Sequence, residues 1–233
     1  METKNLILAT VGDNSYHKEW INGNNNFDLI LIYYGDNNDI FLDYRKDAML
    51  CINQKGQKYP MIKNFIIDNT ELLSKYDHIW LPDDDLLIST NAINSFFNIA
   101  KQHGIILCQP ALINNQVAHP ITKINDGTLF RYTNFVEVMA PLFTYESLMM
   151  LCNDFDLSES GWGLDVTWAY RLNYPHDKIA IIDATPMQHM RPIGNDYSRF
   201  KKSPHTELVE LLAKYNLPGQ IFNGIKNYTF IQK

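Results

Sequence analysis

The chain has 233 residues, of which 45% are hydrophobic and 20% charged, a composition typical of globular domains and not of disordered or fibrous proteins. The formal net charge of −6 and the lack of a lysine- and arginine-rich run argue against nucleic-acid binding. Three cysteines without metal-ligand spacing argue against a disulfide scaffold and a thiolate zinc site, and they predict a reducing, cytoplasmic location. The first apolar stretch, residues 6–11, is too short for a signal-peptide core or a membrane span.

Strands and helices alternate in the first half of the sequence. Two apolar runs end at Gly12 and Gly35, Pro60 suits the start of a helix, and Gly104 suits the end of one. The strands are predicted at residues 6–11, 28–34, 78–81 and 105–108, and the helices at residues 60–76 and 89–104. This alternation indicates a largely parallel sheet, with ligands beyond the carboxyl ends of its strands.

The second half has a different pattern. Apolar residues at 121–124 and 129–132 flank Asn125-Asp126-Gly127, which predicts a β-hairpin and therefore a mixed sheet. A helix at 166–172, a strand at 178–184 and a C-terminal helix at 203–215 follow. Because there is no repeat, low-complexity tract or linker, residues 1–233 are predicted to form a single α/β domain, with a mixed, mainly parallel sheet, a hairpin insertion and flanking helices.

Three consecutive carboxylates, Asp83-Asp84-Asp85, follow a buried strand. On an extended backbone Asp83 and Asp85 point to the same side, roughly 7 Å apart. Such a pair is typical of a site for Mg²⁺ or Mn²⁺, since without a cation the two charges repel. The alternative interpretation is a solvated acidic turn before the next helix.

A second cluster is Ser160-Gly161-Trp162-Gly163-Leu164-Asp165. The glycines allow a close approach of backbone to ligand, and Trp162 offers a stacking face. Asp165 is either a helix-start charge or a general base that takes a proton from an attacking hydroxyl.

Two histidines and a basic stretch complete the candidates. His189 follows a predicted strand and is either an additional metal ligand or an ordinary packed residue. His119 precedes a proline and is either a binding residue or a turn residue. Residues 191–205 are locally basic. This stretch is either a segment that closes over a diphosphate, an ordinary solvated loop, or a peripheral contact with anionic lipid.

Five ordered blocks resemble a known family. They are Leu81-Pro82-Asp83-Asp84-Asp85-Leu86, Cys108-Gln109-Pro110-Ala111-Leu112, His119-Pro120-Ile121-Thr122, Phe135-Val136-Glu137-Val138-Met139-Ala140-Pro141 and Gly161-Trp162-Gly163-Leu164-Asp165. The set is similar to a family of uncharacterised plant and bacterial proteins that is grouped with glycosyltransferases of the A-type (GT-A) fold. The resemblance extends from about the first strand to His189. The order of all five blocks is more specific than the aspartate triplet alone.

This resemblance implies a single Rossmann-like domain that binds a nucleotide-diphospho-sugar and Mn²⁺ or Mg²⁺. Residues 1–110 then form the nucleotide-binding half, residues 111–190 the acceptor-side half, and residues 191–233 a C-terminal loop and helix. The implied metal ligands are Asp85, His189 and Asp83; the implied donor-binding residues are Thr10, Val11, Asp36, Lys58, Asp83 and Asp84; the implied acceptor-binding residues are His119, Glu137 and Trp162. Asp165 takes the position of the catalytic base if the enzyme inverts the configuration at the anomeric carbon; a carboxylate beneath that carbon on the leaving-group face would instead retain it.

The predicted function is therefore a metal-dependent glycosyltransferase of the hexosyltransferase type. Its donor is a nucleotide-diphospho-sugar, a UDP-sugar first among them, and its acceptor is a saccharide or a lipid-linked saccharide. Two alternatives remain at this point: a metal-dependent phosphohydrolase that uses the same carboxylates with water, and an inactive nucleotide-sugar-binding protein.

Overall fold

The computed structural model describes residues 4–113, 117–192, 200–219 and 221–233. The strands are β1 (Asn5–Val11), β2 (Phe27–Tyr33), β3 (Leu50–Asn53), β4 (His78–Trp80), β5 (Leu86–Leu87), β6 (Leu107–Leu112), β7 (Thr128–Thr133), β8 (Leu142–Thr144), β9 (Ile179–His189) and β10 (Asn227–Gln232). The helices are α1 (His17–Trp20), α2 (Asn38–Tyr44), α3 (Lys58–Asp68), α4 (Thr70–Leu73), α5 (Thr90–Gln102), α6 (Tyr145–Leu151), α7 (Leu164–Arg171) and α8 (Pro204–Lys214). Short 3-10 turns lie at Pro120–Thr122, Cys152–Leu157 and Ile221–Gly224.

These strands build a mixed sheet in the order β10-β7-β9-β6-β8-β4-β1-β2-β3, and β5 pairs with the end of β9. Neighbours are parallel from β4 through β1 and β2 to β3, and β6 is parallel to β9. Antiparallel pairing involves β8, β7, β10 and β5. The longest register is the parallel one between β1 and β2, so the predicted mixed, mainly parallel sheet is confirmed.

Helices cover both faces of this sheet. In β1, Ile7 and Ala9 pack into one core cluster, together with Phe96 of α5, whereas Leu6 and Leu8 pack into a second cluster on the opposite face. A strand that is buried on both faces needs a continuous apolar sequence, as β1 has. The second cluster also holds side chains of α3 and α7. None of the helices in the described part of the chain is long and apolar enough to cross a membrane.

The predicted hairpin is wrong in its first arm. Residues 120–122 form a 3-10 turn, and β7 pairs with β9 and β10. The cause is the buried side chain of Arg131, whose guanidinium donates to the carbonyl oxygens of Ile121 and Lys123 and pairs with Asp183 at 2.8 Å. Because these carbonyls bond to a side chain, they do not form a strand ladder.

Three other boundaries differ from the prediction. The helix predicted at 60–76 begins at Lys58 and is interrupted at Asn69, whose side-chain amide donates to the carbonyl of Phe65. The strand predicted at 178–184 extends to His189. The C-terminal region, predicted as a loop and a helix, also contains β10, which lies at the edge of the sheet beside β7.

Candidate active site

A cavity of about 520 Å³ lies at the carboxyl ends of the parallel strands. Thr10 of β1 contributes to its wall, as do the aspartate triplet after β4 and His189 at the end of β9. Lys58 and Glu137 lie on the same wall. The position agrees with the rule that ligands of α/β proteins bind beyond the carboxyl ends of the strands.

The pairing of β5 with β9 brings His189 to the triplet. Leu86, which directly follows Asp85, is opposite His189 in this pair. The Nε2 atom of His189 therefore lies 3.1 Å from Oδ2 of Asp85. The hydrogen bond with Asp85 raises the pKa of His189. This short antiparallel ladder thus brings together Asp85 and His189, which are 104 positions apart in the sequence.

Asp84 is an anchor inside the cavity wall. Its Oδ2 accepts a hydrogen bond of 2.7 Å from the backbone N–H of Gly12, at the end of β1. Its Oδ1 accepts one of 2.7 Å from Arg191, two residues beyond β9. Asp84 thus holds three segments together, and its carboxylate oxygens already have partners.

Asp83 is paired with Lys58. The Nζ atom of Lys58 lies 2.7 Å from Oδ1 of Asp83 and also donates to the carbonyl oxygens of Val138 and Met139, at 2.9 and 3.1 Å. Lys58 begins α3, and its side chain is only 15% exposed. The lysine therefore connects the start of this helix with the triplet and with the segment before β8.

The triplet region fits a divalent cation through Asp85 and His189. A carboxylate and an imidazole nitrogen are ligands that Mn²⁺ accepts, and Mg²⁺ takes the carboxylate. Oδ1 of Asp85 is buried and has no hydrogen-bond partner in the structure, so one oxygen remains available to a cation. No three His, Cys, Asp or Glu side chains among the described residues converge on a metal position. A cation bound here would thus have two ligands from the protein and would need others from its substrate.

Two further buried carboxyl groups, those of Glu137 and Asp165, have no cationic hydrogen-bond partner among the described residues. Glu137 donates its backbone N–H to Gln109 at 2.6 Å, while its Oε2 atom is buried without a hydrogen-bond partner. Burial, followed by repulsion from Asp165 and Asp83, raises the pKa of Glu137 to about 8. Asp165 is also buried, and burial raises its pKa to about 7, although backbone N–H groups at the start of α7 act in the opposite direction. Both groups therefore titrate near neutral pH.

The loop of residues 158–163 packs against helix α8 through Glu207 and lies near Tyr59 and Val138 at Gly161. Glu159 and Ser160 contribute to the cavity wall. Trp162 is 42% exposed and does not line the cavity. Asp165 follows on α7 and is likewise outside the lining.

Seven predicted site residues meet in this cavity: Thr10, Lys58, Asp83, Asp84, Asp85, Glu137 and His189. Five others lie elsewhere. The side chain of Val11 is part of the core, and Asp36 is 96% exposed and paired with Lys55. His119 packs against the rings of Phe135 and Phe222. Trp162 and Asp165 are not among the residues that line the cavity.

The sequence reasoning missed two side chains at the site. Arg191 was noted only as part of a basic stretch, yet it binds Asp84 and the carbonyl oxygen of Asn14. Tyr34 lies at the end of β2, and its hydroxyl donates to Asp84 at 3.3 Å. The rule that parallel strands end at one edge of the sheet could have found Tyr34. The segment 191–205, predicted to contact a diphosphate or a membrane, includes residues 193–199, which lie outside the described residues.

Comparison with solved structures shows which class of fold this is. The crystal structure of S. aureus TarS 1-349 in complex with UDP-GlcNAc has a TM-score of 0.56 and 12% sequence identity, over 90% of this chain and 64% of that one. The same fragment with UDP has a TM-score of 0.51 and 11% identity, over 91% of this chain and 71% of that one. The chain is thus an α/β protein with the TarS fold, and it spans 64% of the fragment in the first comparison.

The family is established by sequence. A family described as "Protein of unknown function (DUF707)" matches residues 2–133, more than half of the chain. The chain therefore belongs to the DUF707 family. No curated protein matches its sequence.

Proposed function

We propose that this protein is a metal-dependent glycosyltransferase of the hexosyltransferase type, which transfers a sugar from a nucleotide-diphospho-sugar to a saccharide or lipid-linked saccharide. The observation that carries the proposal is the cavity that unites Asp83, Asp85, His189 and Lys58 at the carboxyl ends of the strands. TarS, which shares the fold, binds UDP and UDP-GlcNAc, which makes a UDP-sugar the first donor to test.

The acidic and basic residues of the cavity have different roles in donor binding. Asp85 and His189 would hold Mn²⁺ or Mg²⁺, which neutralises negative charge on a diphosphate leaving group. Lys58 and Arg191 supply further positive charge in the cavity, and Asp83 contributes either to the cation or to the ribose. Thr10 lines the wall on the side of β1.

The reaction breaks the bond between the anomeric carbon and the diphosphate oxygen, and the acceptor oxygen forms the new bond. The acceptor's hydroxyl proton passes to the carboxylate of Asp165, whose pKa of about 7 suits a general base at neutral pH. Glu137 contacts the acceptor in this proposal, because it lies in the cavity and its Oε2 atom lacks a partner.

A thermal-stability panel tests this function. UDP-, GDP-, CMP- and dTDP-sugars are each added with Mn²⁺, with Mg²⁺ and with a chelator. A ligand at about 100 times its dissociation constant adds roughly 2.7 kcal/mol to the free energy of unfolding, a measurable shift. We expect stabilisation by one nucleotide class only when metal is present, and sugar transfer to a saccharide alcohol with slow hydrolysis. Rapid phosphate release without transfer would contradict the proposal and indicate a phosphohydrolase.

A further inference from the structure

A buried glutamate on helix α8 binds the loop that borders the acceptor side of the cavity. Glu207 is 3% exposed and lies in the first turn of α8. Its Oε1 accepts a hydrogen bond of 2.8 Å from the backbone N–H of Glu159, and its Oε2 accepts one of 3.0 Å from the N–H of Ser160. The hydroxyl groups of Ser158 and Ser160 also contact Oε2. One carboxylate thus organises three consecutive residues of the loop.

The hydrogen bonds of Glu207 are expected to be stronger than bonds between neutral groups. Hydrogen bonds to an ionised carboxylate contribute more than bonds between neutral groups, and burial removes the competition of water. The partners of Glu207 among the described residues are backbone N–H groups and hydroxyl groups, whose dipoles face its carboxylate. A surface ion pair would not fix the loop geometry in this way.

The glycines show that the loop has little freedom to move as a body. Gly163 has a φ of +91°, and a Cβ atom there would lie 2.9 Å from Leu211 and 3.1 Å from the backbone of Leu208, both on α8. Gly161 has a φ of +84°, and its Cβ would lie 3.2 Å from the ring of Tyr59. The loop is therefore held between the start of α3 and α8, and Glu207 supplies the polar contacts of the α8 side.

We propose that Glu207 is a positioning residue, which fixes loop 158–163 so that its cavity-facing residues bind the acceptor. The proposal rests on the proposed function, in which this loop borders the acceptor. Glu159 and Ser160 both contact Glu207 through their backbone and line the cavity. The hydrogen bonds of Glu207 go to loop residues 158–160, whereas Lys58 bonds to Asp83 and His189 bonds to Asp85. Loss of Glu207 should hence weaken acceptor binding and leave donor binding intact.

The test compares Glu207→Gln with Glu210→Gln. Glu210 is on the same helix and forms an exposed ion pair with Lys202, which makes it a matched control. Hydrogen exchange is measured on the peptide that covers the loop. We expect the amides of Glu159 and Ser160 to exchange at least about tenfold faster in Glu207→Gln, because the amide side chain offers one acceptor oxygen in place of two. Glu210→Gln should exchange as the wild type does.

Kinetics provide the second measurement. The dissociation constant of UDP with Mn²⁺ is measured by calorimetry, and KM is measured for the soluble saccharide that best promotes nucleotide release from the donor sugar. For Glu207→Gln we expect acceptor KM to rise about tenfold, with the UDP constant changed less than twofold. An unchanged acceptor KM would overturn the proposal, and so would equal increases in the acceptor KM and the UDP dissociation constant. So would faster exchange spread evenly over the chain, since that indicates general destabilisation only.

A milder variant covers the case in which Glu207→Gln does not fold. Ser160→Ala removes the hydroxyl that contacts Glu207 and the N–H of Trp162, but it keeps the carboxylate. We expect a smaller rise in acceptor KM in the same direction, and local exchange confined to the loop; no change in either would contradict the proposal. A protein that binds no nucleotide sugar would refute the proposed function, whereas the exchange result would still decide whether Glu207 fixes the loop.

Discussion

The carboxyl groups at the cavity fall into two sets with different partners. On the triplet side each aspartate has a basic partner: Lys58 for Asp83, Arg191 for Asp84 and His189 for Asp85. Glu137 and Asp165 are buried and form no ion pair with another described residue. Burial raises the pKa of Glu137 to about 8 and that of Asp165 to about 7. Burial also raises the pKa of Asp83, although the charge of Lys58 acts in the opposite direction. The triplet, with the unpartnered Oδ1 atom of Asp85, is therefore suited to binding a cation, and Glu137 and Asp165 are suited to exchanging a proton.

The largest expected effect comes from removing the only triplet carboxylate with an unpartnered buried oxygen in the described structure. For Asp85→Ala we expect metal-dependent donor binding to disappear and turnover to fall by about three orders of magnitude or more, because several kcal/mol of charge stabilisation are lost. Binding is measured by calorimetry with UDP across a range of Mn²⁺ concentrations. Asp43→Ala removes an exposed, paired carboxylate and is the control. Wild-type activity of Asp85→Ala at every Mn²⁺ concentration would refute the metal assignment.

The next effect, at Asp165, separates the rate of transfer from the affinity for the donor. For Asp165→Asn we expect transfer to fall by roughly 100- to 10,000-fold, the usual contribution of a general base, while the UDP dissociation constant stays within about twofold. Single-turnover rates and calorimetry measure the two quantities. Asp177→Asn removes an exposed carboxylate just beyond the same helix and should leave both unchanged. A loss of donor affinity equal to the loss of rate would show that Asp165 is structural or a donor ligand.

A third effect concerns the pH dependence of stability. The pKa of Glu137 is raised from 4.5 to about 8, so the folded chain keeps a proton that the unfolded chain loses. Between these two values the free energy of unfolding falls as the pH rises. Glu137→Gln does not lose this stability as the pH rises, and at pH 8 we expect it to be more stable than the wild type by roughly 4 kcal/mol, with the difference vanishing near pH 4. Urea unfolding at several pH values measures this.

The same variant also tests which carboxyl takes the proton. In the proposed mechanism Glu137→Gln weakens acceptor binding and keeps most of the rate at saturating acceptor. If Glu137→Gln abolished transfer while Asp165→Asn did not, Glu137 would be the base, in agreement with its place in the cavity wall. A flat difference between Glu137→Gln and wild type from pH 4 to pH 8 would show that the carboxyl of Glu137 is not buried in a charge-excluding environment.

The sequence predicted well those features that depend on local order along a strand. β1, β4 and the triplet follow from apolar runs and their ends, and the parallel arrangement places Thr10 and Asp83 at one edge. Asp36 also follows a strand, but Lys55 binds it and the neighbouring carbonyls, so it lies on the surface. A strand end predicts the edge of the sheet, and it does not predict which direction the following turn takes.

Contacts between distant segments were beyond such reasoning. The hairpin pattern around Asn125-Asp126-Gly127 is locally sound, but the ion pair of Arg131 with Asp183 spans 52 positions and takes up the carbonyls of the first arm. The partners of Glu207 are likewise 47 to 49 positions away. No periodicity encodes either pair. The raised pKa values of Glu137 and Asp165 also depend on burial by several elements at once.

The smallest effect that we predict concerns Lys58, the partner of Asp83 in the triplet. Lys58→Met removes the cation that pairs with Asp83, and with it a charge available to a diphosphate. Loss of one charge-assisted hydrogen bond of about 1.5 kcal/mol corresponds to roughly tenfold weaker binding of UDP with Mn²⁺, measured by calorimetry. Binding of Mn²⁺ alone should become tighter, because Asp83 loses its competitor for the cation.

Lys63→Met is the control for this last prediction. Lys63 lies on the same helix, is 16% exposed and pairs with Asp156, so its burial and pairing match those of Lys58 away from the cavity. If both variants lost stability to the same extent and both bound UDP as the wild type does, Lys58 would serve only to tie α3 to the segment at Val138 and Met139. A change confined to Lys58→Met would instead mean that Lys58 exchanges its ion pair with Asp83 for a contact with the bound nucleotide. Glu137 and Asp165 have no such ion pair to exchange among the described residues.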